Sequence, residues 1–159
     1  MRERSFLQRA VALARESGGG PFGAVVARGT NIIAEGWDQV TSTSDPTAHA
    51  EMIAIRKASA ILKRTDLSDC EIFTNCEPCP MCLGAIYWAN LHKIYYSNTM
   101  AEVAKIGFDD QLIYKEIISP PERRKIPAIR LLSAKSELVL ARWATNHGKP
   151  HQSSAVDNA

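Results

Sequence analysis

The sequence predicts a three-layer α/β/α domain built on a central, mixed five-stranded sheet. Three observations carry this expectation. After an opening helix and hairpin, short runs rich in β-branched and aromatic residues alternate with longer helical patterns, the order of strands joined by helices that cover both faces of a sheet. Of the 159 residues 45% are hydrophobic and 23% charged, which is material for one buried core. No internal repeat and no apolar run of membrane-spanning length breaks the pattern.

The elements follow in order. Phe6, Leu7, Ala10, Val11 and Ala14 recur at helical spacing, and Ser17-Gly18-Gly19-Gly20-Pro21 stops that helix. Phe22 to Ala27 and Ile32 to Gly36 read as strands, joined into a hairpin by Arg28-Gly29-Thr30-Asn31. Thr41 to Thr47 is polar and predicts a loop. Asp45-Pro46-Thr47 has the composition of a helix start, leading into a mostly buried helix from Ala48 to Lys63. Glu71 to Asn75 is a third strand, and Pro78 and Pro80 suit the first turn of a helix running to about Asn90. Lys93 to Ser97 is a fourth strand, followed by a helix near Met100 to Lys105 and the loop Gly107-Phe108-Asp109-Asp110. Ala128 to Leu132 predicts the fifth strand and Glu137 to Ala144 the last helix. The domain is expected over residues 1–146, with 147–159 a polar tail of almost no apolar content.

Charge gives no support for a polynucleotide partner and does not exclude one. Nineteen basic and 17 acidic side chains leave a net +2, and nucleic-acid binding usually concentrates its basic residues in a patch. The one dense cluster, Glu122-Arg123-Arg124-Lys125 between Pro121 and Pro127, reads as a solvated loop. Met1-Arg2-Glu3-Arg4 carries both signs and leads into an amphipathic stretch, not a signal-peptide core, so no membrane association is expected and the expected location is the cytoplasm. Three of the four cysteines lie between Cys76 and Cys82, a clustering that suggests metal sooner than disulfides.

The chemistry concentrates at two helix starts. His49-Ala50-Glu51 opens one helix and Pro78-Cys79-Pro80-Met81-Cys82 another. Zinc takes imidazole nitrogen and thiolate sulfur, and a catalytic zinc keeps three protein ligands with the fourth position open. Cys79 and Cys82 stand three apart on a helix and face one side, where the positive end of the helix dipole favours thiolate. His49, Cys79 and Cys82 are therefore the candidate ligands of Zn2+. Glu51, two residues past His49, falls beside the metal's water as a candidate proton carrier. Two other readings remain open at this point. Cys76-x-x-Cys79-x-x-Cys82 fits part of an iron–sulfur run, with Cys70 as the fourth thiol. Cys76 could also close a structural Cys3His zinc site, in a module without catalysis.

His-x-Glu followed by Pro-Cys-x-x-Cys is the signature of zinc nucleobase deaminases, and the chain resembles the cytidine deaminase-like superfamily. Within it, four stretches look like the bacterial guanine deaminases: Pro21 to Val25, Asp45 to Glu51, Cys76 to Trp88, and Gly107-Phe108-Asp109-Asp110 with Ile113 to Ile117. The similarity covers about residues 5 to 145. It implies a cytidine deaminase-like α/β/α fold and hydrolysis of guanine to xanthine and ammonia by zinc-activated water. It also implies a homodimer that exchanges C-terminal segments. By the same resemblance Glu51 carries protons and Asp110 meets the exocyclic amine. Phe22, Asp38, the carbonyl of Ala50 and the amide of Cys79 contact the small-molecule base. The resembling enzymes carry Asn where this chain has Asp38, and an aromatic residue at the C-terminus where this tail has none after Trp143. Both departures concern the choice of ring. A tRNA adenosine deaminase, or a deaminase of another amino-substituted heterocycle, shares the metal motifs and is the alternative.

Overall fold

A computed structural model describes residues 1–147, and the tail predicted beyond them lies outside the described residues. The chain forms two compact units, the first Met1–Gln111 and the second beginning at Leu112.

The first unit holds the sheet. Its elements are α1 (Arg2–Glu16), β1 (Gly23–Arg28), β2 (Asn31–Trp37), α2 (Val40–Thr43), α3 (Ala50–Leu62), β3 (Glu71–Cys76), α4 (Pro80–Trp88), β4 (Lys93–Asn98) and α5 (Met100–Ala104). The strand order is β2-β1-β3-β4. β1 pairs antiparallel with both β2 and β3, while β3 and β4 run parallel. Buried residues alternate along β1. Val25 and Ala27 join Phe6, Ala10 and Leu13 of α1 and Phe73 of β3 on one face. Ala24 and Val26 join Ala50, Ala54 and Ala58 of α3 and Ile86 of α4 on the other. A strand side chain points to opposite faces in turn, so this one strand seals both layers.

Two glycines set how closely the helices approach. A Cβ on Gly23 would lie 2.1 Å from the carbonyl oxygen of Ala10 in α1, and one on Gly36 would lie 2.1 Å from that of Ala50 in α3. Any side chain at Gly36 pushes α3 off the sheet, and with it the His49 that begins the helix.

The register fixes where the site falls. Gly23 pairs with Trp37, and Ala24 with Thr74, so the start of β1 meets the ends of β2 and β3. Cys76 pairs with Asn98 at the end of β4. Phe22, Asp38, the cysteine loop after β3 and the turn after β4 therefore gather at one rim of the sheet.

The second unit contains α6 (Gln111–Ile118), which begins at the boundary, a short 3-10 turn (Pro121–Arg123) and α7 (Ala134–His147). No residue from Leu112 to His147 is buried. Ile118, Ile126, Ile129 and Leu131 are each more than 80% exposed.

Three expectations need correction. The sheet has four strands among the described residues, not five. Ala128–Leu132 has the composition of a strand, but no ladder accepts it, and an unpaired strand does not hold its order in water. The polar loop over 41–47 begins as one helical turn, Val40–Thr43, in which the Thr43 hydroxyl and amide both donate to Gln39 O, and Ser44 ends it in the left-handed region. The α3 helix starts at Ala50, later than its apparent signal at Asp45. There the Asp45 carboxylate accepts both the amide and the hydroxyl of Thr47 at 2.8 and 2.7 Å, making a turn before the helix.

Candidate metal centre and active site

Each ligand stands at the N-cap or first turn of a helix. After the Asp45 turn, Ala48 N–H donates to Asp45 O and His49 N–H to Thr47 O, which leaves His49 extended at the N-cap of α3. Cys79 is the N-cap of α4, with Pro80 behind it. Its Sγ accepts the amide of Cys82 at 3.5 Å. At the end of β3 the Thr74 hydroxyl donates to the carbonyl of Cys76.

The ligand atoms converge. His49 Nδ1 lies 3.6 Å from Cys79 Sγ and 3.6 Å from Cys82 Sγ, and all three atoms fall within 4.8 Å of one another. Tetrahedral zinc, with Zn–N of about 2.05 Å and Zn–S of about 2.3 Å, sets an N···S edge of about 3.6 Å. The donor set and its spacing therefore fit zinc, with one coordination position left over. Cys76 stays out of the group. It is buried, and its Sγ faces the carbonyl of Glu77 at 3.5 Å, so the closed Cys3His site is not formed. Cys70 is buried against Asp69, 3.4 Å from its carboxylate, and burial pushes its thiol up to about 11. The iron–sulfur reading thus lacks both extra thiols.

The electrostatics suit thiolate at the metal. The hydrogen bond from the Cys82 thiol holds Cys79 down to about 4, with His49 and the Cys82 amide helping against burial. Cys82 itself is pushed up, first by donating to Cys79 and then by burial. A divalent cation would draw both toward thiolate. Glu51, in the first turn of α3, is 7% exposed. Burial raises its carboxyl to about 7, against the pull of its own amide and of His49.

The other predicted residues lie around this centre. Phe22 is half-buried, and its ring meets that of Phe108 edge to face, with centroids 4.9 Å apart and planes at 86°. Asp38 is 7% exposed, and its Oδ1 accepts the Gly20 amide at 3.2 Å. Its neighbour Gln39 donates to Ala48 O, which brings the carboxylate into electrostatic reach of His49. Asp110 has its pKa raised, by burial first and then by the Cys79 charge, against His49. Asp109 accepts the Gln111 amide at 2.9 Å and starts α6. Ala50 is fully buried, and its carbonyl lies against Gly36, toward the sheet. Phe108 and Asn75 were not singled out by sequence reasoning. Phe108 stood within a recognised motif, whereas nothing near Asn75 in the chain marks it.

Comparison with known proteins gives concordant results. Residues 1–98 match the family model of the cytidine and deoxycytidylate deaminase zinc-binding region. Guanine deaminase of Bacillus subtilis strain 168 is 53% identical over 131 residues, 80% of this chain and 84% of that protein. The X-ray structure of the Bacillus subtilis guanine deaminase superposes with a TM-score of 0.88 at 48% identity, covering 92% of this chain and 96% of the other. A guanine deaminase from Nitrosomonas europaea superposes with a TM-score of 0.62 at 33% identity, over 66% and 63% of the two chains. A tRNA-specific adenosine deaminase of Buchnera aphidicola is 35% identical over 95 residues, 60% of this chain and 63% of its own.

Proposed function

We infer the activity of this chain from the family to which it belongs, that of the cytidine and deoxycytidylate zinc deaminases: it hydrolyses guanine to xanthine and ammonia. The observation that carries guanine over other rings is the extent of the likeness. The family model stops at residue 98, whereas the guanine deaminase structure follows 92% of the chain.

The chain's own residues divide the work. His49, Cys79 and Cys82 hold the zinc, which supplies Lewis acidity and lowers the pKa of a water at its open position. Glu51 takes the proton of the attacking water, passes one to the ring nitrogen next to C2 and later protonates the departing amine. The water oxygen bonds C2 as its first proton goes to the ring nitrogen; the exocyclic C2–N bond then breaks as the amine takes the second proton, so guanine and water become xanthine and ammonia. Asp110 accepts from the exocyclic amine, and the Cys79 amide is the proposed backbone contact; the Ala50 carbonyl, expected as a second one, is instead turned against Gly36 in the sheet. Phe22 supports the ring face. The structure gives Asp38 one occupied oxygen, on Gly20, and we assign its other oxygen to the substrate edge.

The test is ammonia release and xanthine formation from guanine, run beside adenine, cytosine, triazines and tRNA. Guanine is expected to be the fastest. Inosine formed in tRNA with guanine untouched would move the assignment to the tRNA branch. Asn at position 38 keeps an acceptor for Gly20, so Asp38→Asn tests only the second oxygen. It is expected to raise guanine turnover relative to the other rings. An unchanged ratio would leave Asp38 as a loop support alone.

We further propose that residues 1–146 form one deaminase domain, completed in a homodimer by exchange of the segment after Gln111. Three features support this. The second unit buries no apolar residue of its own, and β4 ends the sheet with one side unpaired among the described residues. A groove of about 350 Å³ is lined by Leu7, Val11 and Ala12 of α1 together with Arg4, Gln8, Arg15 and Ser97, a mixed lining that suits an amphipathic helix. Sedimentation is expected to give twice the 17.5 kDa chain mass, and Leu131→Asp should lower it. A wild-type monomer at micromolar concentration would refute the exchange. No helix among the described residues is long and apolar enough to cross a membrane, and the cytoplasm is the proposed location.

A further inference from the structure

We propose that Asn75 is a positioning residue of the base pocket, holding Phe22 through the peptide groups on either side of it. The proposal rests on the reading of Phe22 as the support for the purine ring. Asn75 Nδ2 donates to the carbonyl of Pro21 at 2.8 Å, and its Oδ1 accepts the amide of Gly23 at 2.8 Å. The two groups flank Phe22. On the opposite side the Asp38 amide donates to Phe22 O at 3.0 Å, and Phe22 N–H donates to Gly20 O at 2.8 Å. Every backbone polar group from the Pro21 carbonyl to the Gly23 amide is therefore engaged, and a residue held this way presents its ring in one orientation.

The carboxamide does what a strand would do. The β1–β3 ladder ends at Ala24 and Thr74, and the side chain of Asn75 supplies the next donor and acceptor in its place. Only a primary amide offers one of each in a plane at this reach. The backbone of Asn75 is anchored as well. Its carbonyl accepts the Ser97 hydroxyl at 2.8 Å and Asn98 Nδ2 at 2.7 Å, which ties the end of β3 to the end of β4. The chain then runs through Cys76 to the ligand Cys79. One residue thus links the aromatic wall to the strand that leads into the loop carrying a cysteine ligand.

The experiment compares Asn75→Ala and Asn75→Asp with wild type, each checked for zinc content and circular dichroism. Asp keeps the acceptor for Gly23 but sets an oxygen against the Pro21 carbonyl. Both variants are expected to raise KM for guanine roughly ten-fold, the effect of one or two lost neutral hydrogen bonds. The kcat should move less than about three-fold, because the wall touches the ring and not the reacting carbon. In a Phe22→Ala background, Asn75→Ala should add no further rise in KM. Separately, hydrogen exchange at the Gly23 amide should speed up by roughly ten-fold in Asn75→Ala. An unchanged KM, or a rise that adds in full to that of Phe22→Ala, overturns the positioning role. If wild type neither binds nor converts guanine while the Gly23 amide still responds, the clamp on Phe22 stands and the guanine reading falls.

Discussion

Glu51→Gln is expected to keep the fold and about one zinc per chain, and to lose turnover by about 10²–10⁴-fold or more. The amide has the shape of the carboxyl and suits the same site, since Glu51 is 7% exposed and burying a neutral group costs less than burying an anion. What it cannot do is take a proton from water and return it. Glu51 is asked to do this at more than one step, so the loss can exceed that of a group used once. The variant should still bind guanine, and metal analysis should match wild type. Ammonia release near the wild-type rate with zinc in place would remove Glu51 from the mechanism.

Cys82→Ala acts on the metal itself. Cys82 is fully buried, and its Sγ lies 3.6 Å from His49 Nδ1. Its loss leaves two ligands, which do not hold zinc against competing chelators. Zinc content should fall from about one per chain toward zero, and activity with it. The metal joins the starts of α3 and α4, so its loss also removes the binding free energy that favours the folded state. At free zinc a thousand-fold above the dissociation constant this is about 4 kcal/mol, a drop in melting temperature on the order of 10 °C. Wild type stripped by a chelator should melt close to the variant, since both lack the same clasp. Full zinc in Cys82→Ala would mean that the ligand set has been drawn wrongly.

Much of this site was legible in the chain because its chemistry is local. His49 and Glu51 share one helix start, and Cys79 and Cys82 another, so a spacing of three already puts both thiols on one side while a spacing of two turns Glu51 away from the ligand before it. The strands β1, β2, β3 and β4 could be read from β-branched and aromatic runs bounded by turn residues, and the two central ones, β1 and β3, are buried on both faces. What could not be read depends on neighbours distant in sequence. Asn75 is 54 residues from Pro21 and 52 from Gly23, and an Asn before a cysteine loop gives no hint of either. The edge contact of Phe108 with Phe22 is of the same kind. The fifth strand failed for a different reason. Ala128 to Leu132 has strand chemistry, but a strand is a relation between two segments, and composition describes only one. The turn of α2, Val40–Thr43, is too short for any periodicity to appear.

The placement of the ligands early in the chain also bears on how the protein is made. His49, Cys79 and Cys82 all precede the end of the last strand at Asn98, and the exposed apolar segment begins only at Leu112. A ribosome adding roughly 5–20 residues per second completes the sheet and all three ligands seconds before it finishes α7. Zinc can therefore be captured by the nascent chain while its sticky end is still being synthesised. The exposed apolar segment is translated only after the sheet and its three ligands have been made. Under the exchange proposed above, a polysome would supply the partner at that moment, since the subunit made just before is the nearest one whose sheet is already complete.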